Sequence, residues 1–241
     1  MTIALPLVVY DELEQQAEAM ERDGFVYFPN LLSPDEVAEL RRLSVQLEPS
    51  AEALDTDLTL ERDGHFQRCI NAAFNRDPLF LKYLDKPGLI ELAEAVHGDD
   101  CHIVSMHTWA VGPGRPDQLL HTDWLPASMP EELRANPRLQ LPIYITTAHF
   151  YLDDMTEALG PTKIVPGSHR SGRANGKHET DWNGIKEQSF LGKAGDCIFF
   201  RSEIWHRGAA NASDQIRHTF MVHYSHRMIT QKFPPYLYFQ Y

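Results

Sequence analysis

Apolar residues in the first hundred positions recur mostly at helical spacing. After position 101 they alternate with polar ones, so the chain reads as helices first and strands afterwards. Asp11 to Asp23 places Leu13, Ala17 and Met20 on one helical face, with Gly24 as the stop, and Phe25 to Pro29 follows as a short strand. Ser33, Pro34 and Glu36 are an N-cap, a first-turn proline and the third residue of a capping box, predicting a helix to about Leu47. Leu79 to Leu84 and Pro87 to His97 are further helices. The second turns Leu89, Leu92, Ala93 and Val96 inward and ends at Gly98. Glu48 to Gln67 has no period beyond Leu54, Leu58 and Leu60, which predicts a loop with at most a short helix, either covering a substrate or simply connecting.

The strand pattern begins at Cys101 to Ala110, turns at Gly112 to Pro116, and resumes in Ile143 to Leu152, which ends at the Asp153-Asp154 turn. Between them Pro126 to Pro142 carries four prolines and a short predicted helix, Pro130 to Ala135, as a lid or an oligomer contact. Ser171 to Lys186 is glycine-rich and polar and is expected to be mobile, while Phe190 to Phe200 and Ile216 to Ser225 supply the last strands. Met1 to Val9 is apolar but lacks a basic start and is broken by Pro6, which predicts a packed arm rather than a secretory signal. The aromatic stretch Phe233 to Tyr241 is expected to dock on the body or a neighbouring subunit, or to wall the substrate pocket. These periods alone fit several α+β arrangements.

Length changes the picture little: 241 residues with 43% hydrophobic content suit a single domain with a full core. A net charge of −12 argues against nucleic acid or an anionic membrane surface as a partner, and no run reaches the roughly 18 apolar residues of a membrane span. Three cysteines without a Cys-x-x-Cys pair make neither a disulfide framework nor a zinc motif, and fit a reducing cytoplasm. A small-molecule substrate and a monomer or homodimer are expected.

The candidate chemistry centres on His121-Thr122-Asp123. On an extended backbone residues two apart share a face, so His121 and Asp123 can grip one ion, and His206, at the end of the apolar run Cys197 to Phe200, is the best third ligand. Two imidazoles and a carboxylate with the other positions open form the facial triad suited to non-haem Fe(II) oxygenases. A bare His-x-Asp is weak evidence where twelve histidines and thirty-four acidic residues occur. Downstream, Arg217 and Thr219 share one face of an alternating run. A guanidinium fork with a hydroxyl beside it suits a carboxylate such as the distal end of 2-oxoglutarate. His149 is assigned to the pocket or core rather than to metal binding, and Asn211-Ala212-Ser213 is read as a turn rather than a glycosylation site.

Taken in order, His121-x-Asp123, Gly160 to His169, Gly195-Asp196, His206-x-Gly208 and Arg217 resemble the phytanoyl-CoA dioxygenase family, and Arg22 to Ser33 is similar to how such proteins begin. The resemblance covers about residues 15 to 226. It implies an Fe(II)- and 2-oxoglutarate-dependent oxygenase using O2 and releasing succinate and CO2. The implied ligands are His121, Asp123 and His206, with Arg217 on the cosubstrate, and His107, on the strand where similar enzymes often place a cosubstrate contact, is either such a contact or a satisfied core histidine. His169 is expected to organise a loop. The implied fold is a double-stranded β-helix (jelly roll) within one domain, residues 1–241: a helical part at about 11–98 on one sheet, the jelly-roll core at about 101–226 and a tail at 227–241. A subgroup of such enzymes that lacks the carboxylate ligand halogenates, so Asp123 favours hydroxylation. The rivals are a cupin-like metal-dependent isomerase or hydrolase that does not use 2-oxoglutarate, and a non-catalytic binding protein on the same fold. Metal analysis with 2-oxoglutarate turnover separates them.

Overall fold

Alternation along Arg217–Ser225 divides the molecule. Phe220, Val222 and Tyr224 enter an apolar core, whereas Arg217, Thr219, Met221 and His223 face a cavity on the other side of the sheet. The computed structural model describes residues 3–47, 58–62, 65–125, 128–134 and 140–229. Its helices are α1 (Leu13–Arg22), α2 (Pro34–Gln46), α3 (Leu89–His97) and α4 (Glu131–Arg134). The strands are β1 (Phe25–Phe28), β2 (Leu58–Arg62), β3 (His65–Asn71), β4 (His102–Val111), β5 (Ile145–Tyr151), β6 (Thr162–Ile164), β7 (Asp181–Trp182), β8 (Ile185–Lys186), β9 (Gln188–Ser189), β10 (Cys197–Arg201), β11 (His206–Gly208) and β12 (Arg217–Ser225). An antiparallel seven-stranded sheet in the order β1-β10-β5-β12-β4-β3-β2 faces a three-stranded sheet, β11-β6-β9. This is the mainly β jelly roll, with N-terminal helices on one sheet, that the resemblance implied.

Helices cover the outer face of the large sheet. Met20 of α1, Leu40 and Leu43 of α2 and Leu89 and Leu92 of α3 pack with Phe150, Phe199, Phe220 and Tyr224. Between the sheets Tyr151, Ile198 and Phe200 meet Ile164, Phe190 and Ile204. Local signals account for the helix ends. Ser33 Oγ accepts from the Glu36 amide at 3.3 Å and Glu36 Oε2 accepts from the Ser33 amide at 2.8 Å, closing the predicted capping box. At Gly24 φ is +86° and a Cβ would lie 2.5 Å from His169 Nδ1, so only glycine fits where α1 hands over to β1.

Three expectations are corrected. The loop assigned to Glu48–Gln67 holds a β-hairpin, β2 with β3, that extends the large sheet by pairing Gln67 with Val111 and Asn71 with His107 of β4; residues 48–57 and 63–64 lie outside the described residues. The helix at Leu79–Leu84 is 3-10, Pro78–Tyr83, capped by Asp77. The strand assigned to Phe190–Phe200 is interrupted, because Asp196 accepts from the Lys193 and Asn30 amides and the Tyr27 hydroxyl and so stabilises a turn at Gly195, where φ is +96°. The Ser171–Lys186 segment contains the hairpin β7-β8 around Asn183-Gly184, both at positive φ.

The N-terminal arm is packed only in part. Leu5 is buried and pairs through its amide with the Ser189 carbonyl, while Val8 and Val9 are exposed. The aromatic stretch Phe233–Tyr241 lies outside the described residues. Among those described, no helix is long and apolar enough to cross a membrane. No disulfide joins Cys69, Cys101 or Cys197 among the described residues.

Candidate metal centre

Residues 118–124 run antiparallel to β11 and the turn before it. The Gln118 amide donates to the Gly208 carbonyl at 2.9 Å, His121 and His206 exchange backbone bonds at 3.0 and 2.9 Å, and the Asp123 amide donates to the Ser202 carbonyl at 3.0 Å. That register sets His121 opposite His206 and brings Asp123 beside both. One donor atom from each lies within 4.8 Å of the others. Asp123 Oδ1 stands 3.6 Å from His206 Nε2 and 3.8 Å from His121 Nε2, too far for hydrogen bonds but suited to sharing one ion.

The imidazole tautomers are set by the chain itself. His121 Nδ1 lies 2.8 Å from the Leu119 carbonyl and His206 Nδ1 lies 3.0 Å from the Ile204 carbonyl. A carbonyl only accepts, so each Nδ1 carries the proton and each Nε2 presents a lone pair toward Asp123, which is how ligating histidines are held. This donor set fits Fe(II).

The turn that carries His206 is pinned from outside. Ser168 Oγ accepts from the Trp205 amide at 2.8 Å, and His169 Nε2 donates to the Glu21 carbonyl at 2.9 Å, so the Pro166–His169 corner supports the turn and does not join the triad. Arg201, buried, donates to the Leu141 carbonyl at 2.7 Å and lies 3.6 Å from Glu203, whose carboxyl is pushed up by burial.

The triad opens on a cavity of about 400 Å³ between the sheets, which Arg217, Thr219 and His107 also line. Arg217 is buried and donates from Nη1 to the Gly160 carbonyl, while its Nε has no partner among the described residues. Burial pushes this guanidinium down to about 10; Tyr151 opposes that shift and Arg115 adds to it. Thr219 shares the face with Arg217, its Oγ1 a long 3.4 Å from the Trp109 carbonyl. His107 stacks on His223 with ring centroids 5.0 Å apart.

Sequence reasoning passed over several lining residues: Gln118, Thr147, Thr162 and His223. His223 was open to discovery, because it continues the 217, 219, 221 face of β12. Thr147 accompanies it only through the β5 register, its Oγ1 2.9 Å from His223 Nδ1. His149, assigned to pocket or core, lines the cavity and stacks on Tyr151 at 4.7 Å, and burial holds its ring well below the ordinary histidine range. A second, wider cleft of about 630 Å³ adjoins the first and shares Gln118, His121 and Thr122 with it.

Comparison with known proteins places this geometry. A family model described as phytanoyl-CoA dioxygenase (PhyH) matches residues 20–219. The chain is 28% identical over 219 residues to the dioxygenase ALT11 of Alternaria alternata, covering 85% of this chain and 68% of that protein. To the Fe(II)/2-oxoglutarate-dependent dioxygenase nvfF of Aspergillus novofumigatus it is 26% identical over 215 residues, covering 82% and 66%. It thus spans about two thirds of the length of each. A crystal structure of the epimerase SnoN in complex with Fe3+, alpha ketoglutarate and nogalamycin RO superposes with a TM-score of 0.69 at 21% identity, covering 89% of this chain and 83% of that one.

Proposed function

The chain belongs to the phytanoyl-CoA dioxygenase family, and on that premise we propose that it is an Fe(II)- and 2-oxoglutarate-dependent dioxygenase, acting as a single domain, that hydroxylates an unactivated C–H bond of a small molecule. His121, Asp123 and His206 hold the metal, Arg217 and Thr219 hold the distal carboxylate of 2-oxoglutarate, and His107 contributes a further cosubstrate contact. The observation that carries this reading is the meeting, in one cavity, of a metal-competent triad and a buried arginine with unspent donor capacity.

Bound iron supplies the chemistry that spends one oxygen atom of O2 on converting 2-oxoglutarate to succinate and CO2 and the other on the substrate C–H bond. The residues of the chain do the rest. The Leu119 and Ile204 carbonyls keep both histidines in the ligating tautomer. Among the described residues Asp123 is the one acidic side chain lining the cavity, so its single negative charge would leave a divalent ion net positive and attractive to an anionic chelate. Arg217 fixes the other end of the cosubstrate in a dry recess, where a charge-assisted pair is strong. The substrate approaches from the wider cleft beside His121, which places it on the open side of the triad.

Hydroxylation is favoured because the carboxylate ligand is present. A fold relative is an epimerase, so product analysis decides the outcome. The test is succinate formation from 2-oxoglutarate by iron-loaded protein in air, screened for stimulation by candidate metabolites, with mass analysis for an added oxygen atom. A metabolite that stimulates succinate release and gains one oxygen supports the reading. Stimulation with an unchanged formula would overturn hydroxylation and leave the cosubstrate assignment standing.

A further inference from the structure

Gly208, two residues beyond His206, is the point on which two guanidinium groups converge. A Cβ built there would lie 3.5 Å from Arg217 Nη2 and 3.5 Å from Arg115 Nη1, so the two nitrogens are at most twice that distance apart. Like charges at that range repel, and the fold brings them together without an acid between them. Arg115 Nη1 and Arg217 Nε are both buried and without a hydrogen-bond partner among the described residues. The nearby acids are engaged elsewhere: Asp117 pairs with Arg207 and accepts from the Ala210 amide, and Asp153 pairs with Arg41 at 3.2 Å and accepts from the His218 amide at 2.6 Å.

Arg115 is also held in place. Its Nε donates to Gln67 Oε1 at 3.2 Å, a bond available only because the β2-β3 hairpin brings β3 beside β4. Its backbone carbonyl accepts from the Asn211 amide at 3.0 Å, and the Asn211 carbonyl accepts from Gly114 at 2.7 Å. The Gly208 amide donates to Gln118 Oε1 at 2.7 Å, and that oxygen would lie 2.9 Å from a Cβ built at Gly208, so a side chain there would crowd the glutamine and both arginines.

We propose that Arg115 is a second anchor for the distal carboxylate of 2-oxoglutarate, which bridges Arg115 Nη1 and the Nε–Nη2 edge of Arg217 beside Gly208. This rests on the cosubstrate reading above and extends it to a residue outside the resemblance that carried that reading. An anion there satisfies two buried donors at once and cancels the repulsion between the guanidiniums, so both arginines contribute to affinity and neither touches the reacting atoms. Arg115 is a positioning residue, and its loss acts on cosubstrate binding alone.

The test is anaerobic calorimetric titration of Mn(II)-loaded protein with 2-oxoglutarate, and with 2-oxopentanoate, which has the chelating end but no distal carboxylate. Arg115→Gln is expected to weaken 2-oxoglutarate binding about tenfold to a hundredfold and to leave 2-oxopentanoate unchanged, with Arg115→Lys in between. Equal 2-oxoglutarate affinity in Arg115→Gln and wild type would overturn the proposal, as would equal weakening of both ligands. Should Arg115→Gln fail to fold, Arg115→Lys carries the same comparison, and an affinity equal to wild type would overturn it. Wild-type protein that bound neither ligand would overturn the cosubstrate reading itself, whereas wild-type binding with an indifferent Arg115→Gln overturns only the second anchor.

Discussion

Replacing Arg217 by methionine separates a binding role from a structural one, because the two make opposite demands on stability. Burial takes this guanidinium well below its ordinary value, down to about 10, a cost to the unliganded fold on the order of 3 kcal/mol at neutral pH. For a base with a lowered folded value the penalty is fully present below 10 and fades only as pH climbs from there toward the ordinary arginine range, so pH 7 is the place to measure. Against it stands the charge-assisted bond to the Gly160 carbonyl, of about 1.5–3 kcal/mol. The two nearly cancel, and Arg217→Met without ligand should melt within about 5 °C of wild type. Ligand changes the balance. With metal and 2-oxoglutarate at a hundred times its Kd, wild type gains about 2.7 kcal/mol, whereas a variant that has lost about 3 kcal/mol of affinity gains well under 1 kcal/mol. Differential scanning calorimetry with and without Mn(II) and 2-oxoglutarate reads both effects. A fall of more than about 10 °C in the unliganded variant, or equal protection of both proteins by 2-oxoglutarate, would refute the argument.

His121→Ala, Asp123→Ala and His206→Ala should each lose most bound iron while circular dichroism stays near wild type; full iron occupancy in any of them removes that residue from the triad. Asp123→Gly with chloride should abolish hydroxylation and yield at best a trace of chlorinated product, since the surroundings are arranged for a carboxylate ligand, and product mass spectra decide it. Phe220→Ala should cost about 3–5 kcal/mol in denaturant unfolding, because Phe220 is fully buried against Phe80, Tyr83 and Phe150. Below pH 6.5 the fold should lose stability steadily: burial holds His97 down at about 4 and His169 at about 3, so the unfolded chain takes up protons that the folded one refuses. A melting temperature flat from pH 6.5 to 4 would contradict that.

Short-range physics made the helices readable. The box at Ser33 and the stop at Gly24 are decided within a few residues, and α1 and α2 lie within one or two residues of their expected ends. Alternation made β12 readable for the same reason. The β2-β3 hairpin was not legible, because it forms the edge of the sheet and is held by backbone pairing, β3 to β4 and β2 to β3, which demands no apolar period. The break before β10 depends on Asp196 reaching Asn30 and Tyr27, partners far away in sequence. In the site, His121, Asp123, His206 and Arg217 follow an order along the chain that a reader can recognise. Gln118 and Thr147 reach the cavity, and Arg115 comes beside Gly208, only through register and loop packing, and nothing local marks them.

The most direct test of the central claim is an anaerobic spectroscopic titration of Fe(II)-loaded protein with 2-oxoglutarate. A chelate formed at the His121, Asp123 and His206 site predicts a visible charge-transfer band that saturates at one cosubstrate per protein, vanishes in His206→Ala and needs far more 2-oxoglutarate in Arg217→Met. Iron-loaded wild-type protein that developed no band and bound no 2-oxoglutarate would contradict the account.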